Sequence, residues 1–154
     1  MIYFAYGSNM NPGQMTHRCP EHRTLGIARL DNYRLFFPRF SRSRNCASAG
    51  IEPVAGNAVW GVVYEIPPAD VIVLNHHEGY DPEGPVAANR HILRDVSVRL
   101  VGQPEPLDAK TYFAVPDGTN ARPSEAYMQA IIDGALYHGL PRAYIAALQA
   151  VRTQ

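Results

Sequence analysis

The sequence has no surplus of charge of either sign: 14 Lys and Arg stand against 14 Asp and Glu in 154 residues. Without a basic excess there is no global field to draw in nucleic acid or acidic lipid, and a small neutral or zwitterionic substrate fits better. Long apolar runs are missing as well, so no segment predicts a membrane span, and the first residues lack the pattern of a secretory signal. The expectation is a cytoplasmic protein with no nucleic-acid or membrane partner. Cysteine is scarce. Cys19 and Cys46 form no CxxC pair, which argues against a disulfide framework and predicts two reduced, partly buried thiols. Neither G-x-G-x-x-G nor a P-loop occurs, which removes the usual sequence arguments for dinucleotides and nucleoside triphosphates. There is no G-x-S-x-G elbow to make Ser8 a nucleophile, and Cys19 has no His and acid placed beside it by motif. His17, Cys19 and His22 lack a fourth ligand at a recognised spacing. His76, His77 and Glu78 are consecutive, so on a helix they radiate instead of converging as i, i+4 ligands do. No metal and no cofactor is expected.

What the chain does have is 46% hydrophobic and 18% charged residues, the balance of a globular protein, and a length that fits one domain over residues 1–154. Runs rich in β-branched and aromatic residues predict strands over Ile2–Tyr6, Leu25–Leu30, Tyr33–Phe37, Ala49–Val54, Ala58–Ile66, His91–Leu100 and Lys110–Val115. Helices are expected briefly after Pro12, then over Pro68–Glu78, Ser124–His138 and Pro141–Val151, with Gly139 as the stop between the last two. Tyr127, Ile131 and Leu136 lie near one face of the third of these, which reads as packing onto a sheet. Residues 39–45 and 81–89 read as long loops. Strands outnumber helices and hairpins fit better than repeated βαβ units, so the class is α+β.

Two segments point to chemistry. In the first, the apolar run Ile2-Tyr3-Phe4-Ala5-Tyr6 meets Gly7-Ser8-Asn9-Met10-Asn11 just before Pro12. A glycine followed by capping residues can aim several backbone N–H groups into one concavity that binds anionic oxygen, although an ordinary capped turn has the same composition. In the second, Val71, Leu74 and Glu78 fall at i, i+3, i+7 on the helix from Pro68, so Glu78 is expected to face inward. A carboxylate above such an apolar stripe loses hydration and is suited to proton transfer near neutral pH. The alternative is a glutamate in a frayed last turn, facing water.

Tyr6-Gly7-Ser8-Asn9, followed at a distance by Glu78-Gly79, resembles the γ-glutamylcyclotransferase-like (AIG2-like) family. The resemblance extends through Ala28–Leu35, the Val59–Tyr64 segment, and Pro123–Tyr127 up to Gly139-Leu140-Pro141, covering most of the chain. It implies a small, mostly antiparallel, barrel-like mixed sheet flanked by helices. It also implies an enzyme that cyclises the γ-glutamyl moiety of a small substrate to 5-oxoproline and releases an amino acid or amine. On that basis Glu78 is the expected general base and later proton donor. The backbone of Gly7, Ser8, Asn9 and Met10 is expected to hold the glutamyl moiety, with Tyr6 shaping the wall and Tyr127 either reaching the substrate or packing in the core. Many members carry a tyrosine at the start of the next strand; here Arg90 or His91 stands nearest. Arg90 either pairs with a substrate carboxylate or is solvated, and Arg39, Arg42 and Arg44 either receive an anionic leaving portion or form a solvated face. Three other readings stay open: a γ-glutamylamine cyclotransferase, a non-catalytic binding module on the same fold, and an interaction protein displaying Tyr144, Ile145 and Leu148. That patch equally suits a homodimer, so monomer and homodimer are both expected.

Overall fold

A computed structural model describes residues 1–154. Five strands close into a barrel in the order β1-β3-β2-β4-β5, namely β1 (Ile2–Ala5), β2 (Arg23–Ser41), β3 (Cys46–Glu65), β4 (His91–Leu100) and β5 (Leu107–Ala114). Every neighbouring pair is antiparallel except β1 with β5, which run parallel and close the barrel. Four helices surround it: α1 (Pro12–Arg18), α2 (Pro68–Glu78), α3 (Glu125–His138) and α4 (Arg142–Gln149). Short 3-10 turns cover Ser8–Met10 and Val86–Ala88. No helix is long and apolar enough to cross a membrane.

The expected pairs of short strands are in fact two long ones. Leu25–Leu30 and Tyr33–Phe37 belong to β2, and Ala49–Val54 and Ala58–Ile66 fall largely within β3. The polar residues between them bulge the strands instead of turning the chain back. Asn32 takes φ 63 at the register shift between Asp31 and Tyr33, and its side chain accepts the N–H of Gly56 across the pair at 3.1 Å. A second shift between Phe36 and Arg39 carries β2 past Pro38, so Arg39–Ser41, expected in a loop, are strand. β5 starts at Leu107, earlier than expected, where its residues find partners on β4.

The interior is filled by residues such as Phe4, Met10, Val62, Val63, Tyr64, Leu74 and Ile131, all essentially inaccessible. Helix α3 does not present the face expected of it. Tyr127, Met128, Ile131, Ile132, Gly134 and Ala135 are buried, whereas Leu136 is 55% exposed. The inward face meets the Ser8–Met10 turn and α4 more than the sheet. Gly134 permits this approach, because a Cβ there would stand 2.5 Å from the Met10 carbonyl carbon. On α4, Ile145 and Leu148 are buried and Tyr144 is half-buried against the barrel, so these three do not form the exposed apolar patch anticipated for an interaction protein. Cys19 and Cys46 are free and buried.

Candidate active site

Glu78 closes α2. The helix starts with Pro68 in its first turn and ends on Gly79, which takes φ 63 and caps the last carbonyls with its own N–H. Leu74 is buried and Val71 half-buried on the same face, so Glu78 points inward as the periodicity predicts. Its surroundings differ from the apolar stripe expected. Oε1 accepts from Asn9 Nδ2 at 2.9 Å and from Arg18 Nη1 at 3.3 Å. His91 Nδ1 lies 3.6 Å from Oε2 and 2.8 Å from the Glu78 carbonyl. A carbonyl only accepts, so Nδ1 of His91 carries the proton and Nε2 is left as the acceptor in the neutral ring.

Asn9 is the centre of the network. Nδ2 donates to Tyr3 Oη and to Glu78, each at 2.9 Å, while Oδ1 accepts from Gln14 Nε2 at 2.9 Å and Arg18 Nη1 at 2.8 Å. Gln14 and Arg18 both reach it because they sit at i, i+4 on α1, whose start is fixed by Pro12 and by the Asn11 side chain accepting the Gln14 N–H. From behind, Tyr64 Oη donates to the Asn9 carbonyl at 3.0 Å and His138 Nε2 donates to the Met10 carbonyl at 3.0 Å. The loop is thus held on both sides before any ligand arrives.

Tyr3, Asn9, Arg18, Glu78 and His91 line a cavity of about 570 Å³. Gly7, Ser8 and Asn9 lie on its wall, and the Gly7 N–H meets no backbone or side-chain acceptor. Met10 does not belong there. Its N–H is taken by the Gly7 carbonyl at 3.0 Å and its side chain is fully buried in the core, so the expectation that it donates to substrate is corrected. Tyr6 is a wall residue, its hydroxyl donating to the Tyr112 carbonyl at 2.5 Å. Tyr127 lies in the wall and in the core at once: its hydroxyl oxygen accepts the Ala49 N–H at 3.0 Å, and Arg44 stacks over its ring at 4.8 Å. Arg90 turns toward the end of α2, donating to the His77 carbonyl at 3.2 Å and packing its guanidinium over Gly79. Of Arg90 and His91, it is His91 that lies beside the carboxylate.

Burial pushes the Tyr3, Tyr6 and Tyr112 phenols well above their ordinary range, and the charge of Glu78 adds to the effect. All three stay neutral: Tyr6 and Tyr112 donate, to the Tyr112 carbonyl and to Asn75 Oδ1, while Tyr3 accepts from Asn9. Burial likewise raises Tyr127 to about 12. No group of three His, Cys, Asp or Glu is arranged to hold a metal ion. The sequence reading left the choice between Arg90 and His91 open and missed Arg18, Gln14 and Tyr3 as partners of the site. The i, i+4 pairing of Gln14 with Arg18 just after the loop is a signal that was there to find; the approach of Tyr3 depends on barrel closure and leaves no local trace.

Residues 58–148, more than half of the chain, match the model of the AIG2-like family. The chain belongs to the AIG2-like family. Among curated proteins it is similar to the gamma-glutamylcyclotransferases of Mus musculus and Homo sapiens, each 29% identical over 97% of this chain and 78% of the relative. A solved structure described as gamma-glutamyl cyclotransferase superposes with TM-score 0.89 at 26% identity, covering 100% of this chain and 89% of that one.

Proposed function

We propose that Glu78 is the general base of a γ-glutamylcyclotransferase-like enzyme that converts a small γ-glutamyl compound to 5-oxoproline and a free amino acid. The enzyme class rests on the family and on the cyclotransferase relatives. The observation supporting the assignment of the base is the asymmetry of its carboxylate: Oε1 is held by Asn9 and Arg18, whereas Oε2 makes no hydrogen bond and the residue lines the cavity. A carboxylate fixed by one oxygen and free at the other is positioned to take a proton.

In this reading the substrate's α-amine loses a proton to Glu78 Oε2 and attacks the γ-carbonyl carbon of the same molecule. The new C–N bond closes a five-membered ring, and the carbonyl oxygen becomes an oxyanion that the unpaired Gly7 N–H is free to meet. Collapse re-forms the carbonyl and breaks the bond to the leaving nitrogen, which receives the proton from Glu78. Because nucleophile and electrophile belong to one molecule, orientation supplies much of the rate. We place the reaction in the cytoplasm, a reading supported by the two free thiols. Glu78→Gln keeps an acceptor for Asn9 and should lower kcat by about 10³-fold with little change in the folded state, read as 5-oxoproline release beside circular dichroism. Wild-type turnover in that variant would remove Glu78 from the role.

A further inference from the structure

Five arginines line the cavity: Arg18, Arg39, Arg42, Arg44 and Arg90. Only two carboxylates, Glu78 and Asp117, face them. Arg18 is paired with Glu78 at 3.3 Å. The other four have no carboxylate within salt-bridge distance, and Asp117 gives its oxygens to the N–H groups of Phe40 and Thr119. Their remaining contacts divide them by depth. Arg44 reaches into the loop, donating to Ser8 Oγ at 3.2 Å and Gln14 Oε1 at 2.8 Å, and Arg90 is occupied with the end of α2. Arg42 is exposed and Arg39 half-buried. Arg39 donates through Nη1 to the Val115 carbonyl at 2.8 Å, but its Nε is buried with no acceptor at all. Arg42 is exposed in the turn joining β2 to β3, and no hydrogen bond or ion pair engages its guanidinium. A buried guanidinium N–H without a partner is costly, and an arginine fork is suited to a carboxylate.

We infer that Arg39 and Arg42 form a rim subsite for an anionic side chain on the leaving half of the substrate, so that the released product is an acidic amino acid and not a neutral one or an amine. The inference rests on the cyclotransferase reading and names its substrate class. A γ-glutamyl derivative of a neutral amino acid brings two carboxylates and one ammonium, which leaves the rim arginines unmatched once the inner cations are engaged. A dicarboxylic leaving group brings a third carboxylate. An amine brings none on that side.

The test compares γ-glutamyl-glutamate with γ-glutamyl-glutamine, which differ in charge but hardly in shape. The wild type should favour the glutamate compound in kcat/KM by about tenfold, the preference should shrink with added salt, and Arg42→Gln should bring the ratio toward one. Arg42→Glu should invert it. Arg42 is exposed and unpaired, so neither substitution threatens folding. Equal rates for the two compounds in the wild type, or a preference that survives Arg42→Gln, would overturn the subsite. Calorimetric binding of both compounds to Glu78→Gln protein separates this inference from the catalytic one. Charge-selective binding that Arg42→Gln abolishes upholds the subsite even if no 5-oxoproline forms from any substrate, and charge-blind binding removes it even if turnover is fast.

Discussion

Asn9 and Glu78, 69 residues apart in sequence, are joined by a 2.9 Å hydrogen bond from Nδ2 to Oε1. One amide therefore ties the glycine-serine loop to the end of α2, and all four of its hydrogen bonds are made within the site. Such full satisfaction fixes the amide orientation, because exchanging Nδ2 and Oδ1 would oppose donor to donor at Gln14 and Arg18 and acceptor to acceptor at Glu78.

Asn9→Asp tests this directly. The substitution keeps the shape and the acceptor toward Gln14 and Arg18, but sets a carboxylate oxygen against Glu78 Oε1 at a place where a donor is required. We expect kcat to fall by about 10²-fold and unfolding free energy by roughly 2–3 kcal/mol, from repulsion and one unmade bond in a buried setting. Steady-state kinetics and urea denaturation measure the two. Near-wild-type values for both would mean that the amide is incidental to the geometry of the site.

Gly134→Ala tests the contact that sets the depth of the loop. Alanine raises helix propensity by about 1 kcal/mol in an exposed helix, so a stabilised protein is the local forecast. Here the added carbon would stand 2.5 Å from the Met10 carbonyl carbon and 2.6 Å from the Asn11 nitrogen, and backbone at such distances has to move. We expect a net loss of about 2–3 kcal/mol together with lower kcat, since the displaced segment carries Ser8 and Asn9. A gain in stability in thermal or chemical denaturation would contradict the close packing of α3 on the turn.

The fold was legible in the sequence wherever a local signal had one physical meaning. Proline at the start, glycine at the end and a 3.6-residue period bound α2 at Pro68 and Glu78, and the loop motif with its distant glutamate pointed to two elements that the barrel brings together. Legibility failed where a local signal was answered by a distant partner. Asn32 and Pro38 read as strand ends, but β3 continues alongside and absorbs them as bulges. Leu136 reads as core by spacing, yet α3 is rotated so that Gly134 meets the loop and Ala135 is buried while Leu136 is exposed. The polar setting of Glu78 depends on Arg18 arriving from α1, which helical periodicity within α2 does not encode.

His138 gives the site a pH-sensitive support. Its ring is half-buried at the end of α3, with Nε2 donating to the Met10 carbonyl and lying 3.3 Å from Tyr64 Oη. Burial holds its pKa below the ordinary value near 6.5, outweighing the opposing effect of the hydrogen bond to Met10. The sign follows from proton counting. Between the depressed folded value and 6.5 the unfolded chain binds more protons than the folded one, so this residue's contribution to stability is complete above about pH 7 and is lost as pH falls through that window. His77 is also shifted downward by burial and adds a slope of the same sign, so the informative quantity is a difference between proteins. His138→Gln retains a side-chain N–H donor and removes the titration. The wild type should lose stability from pH 7 to pH 5 more steeply than the variant, measured as denaturation midpoints at each pH. Parallel slopes would show that His138 titrates alike in the folded and unfolded chains, and that its neutral form is not what holds the Met10 carbonyl.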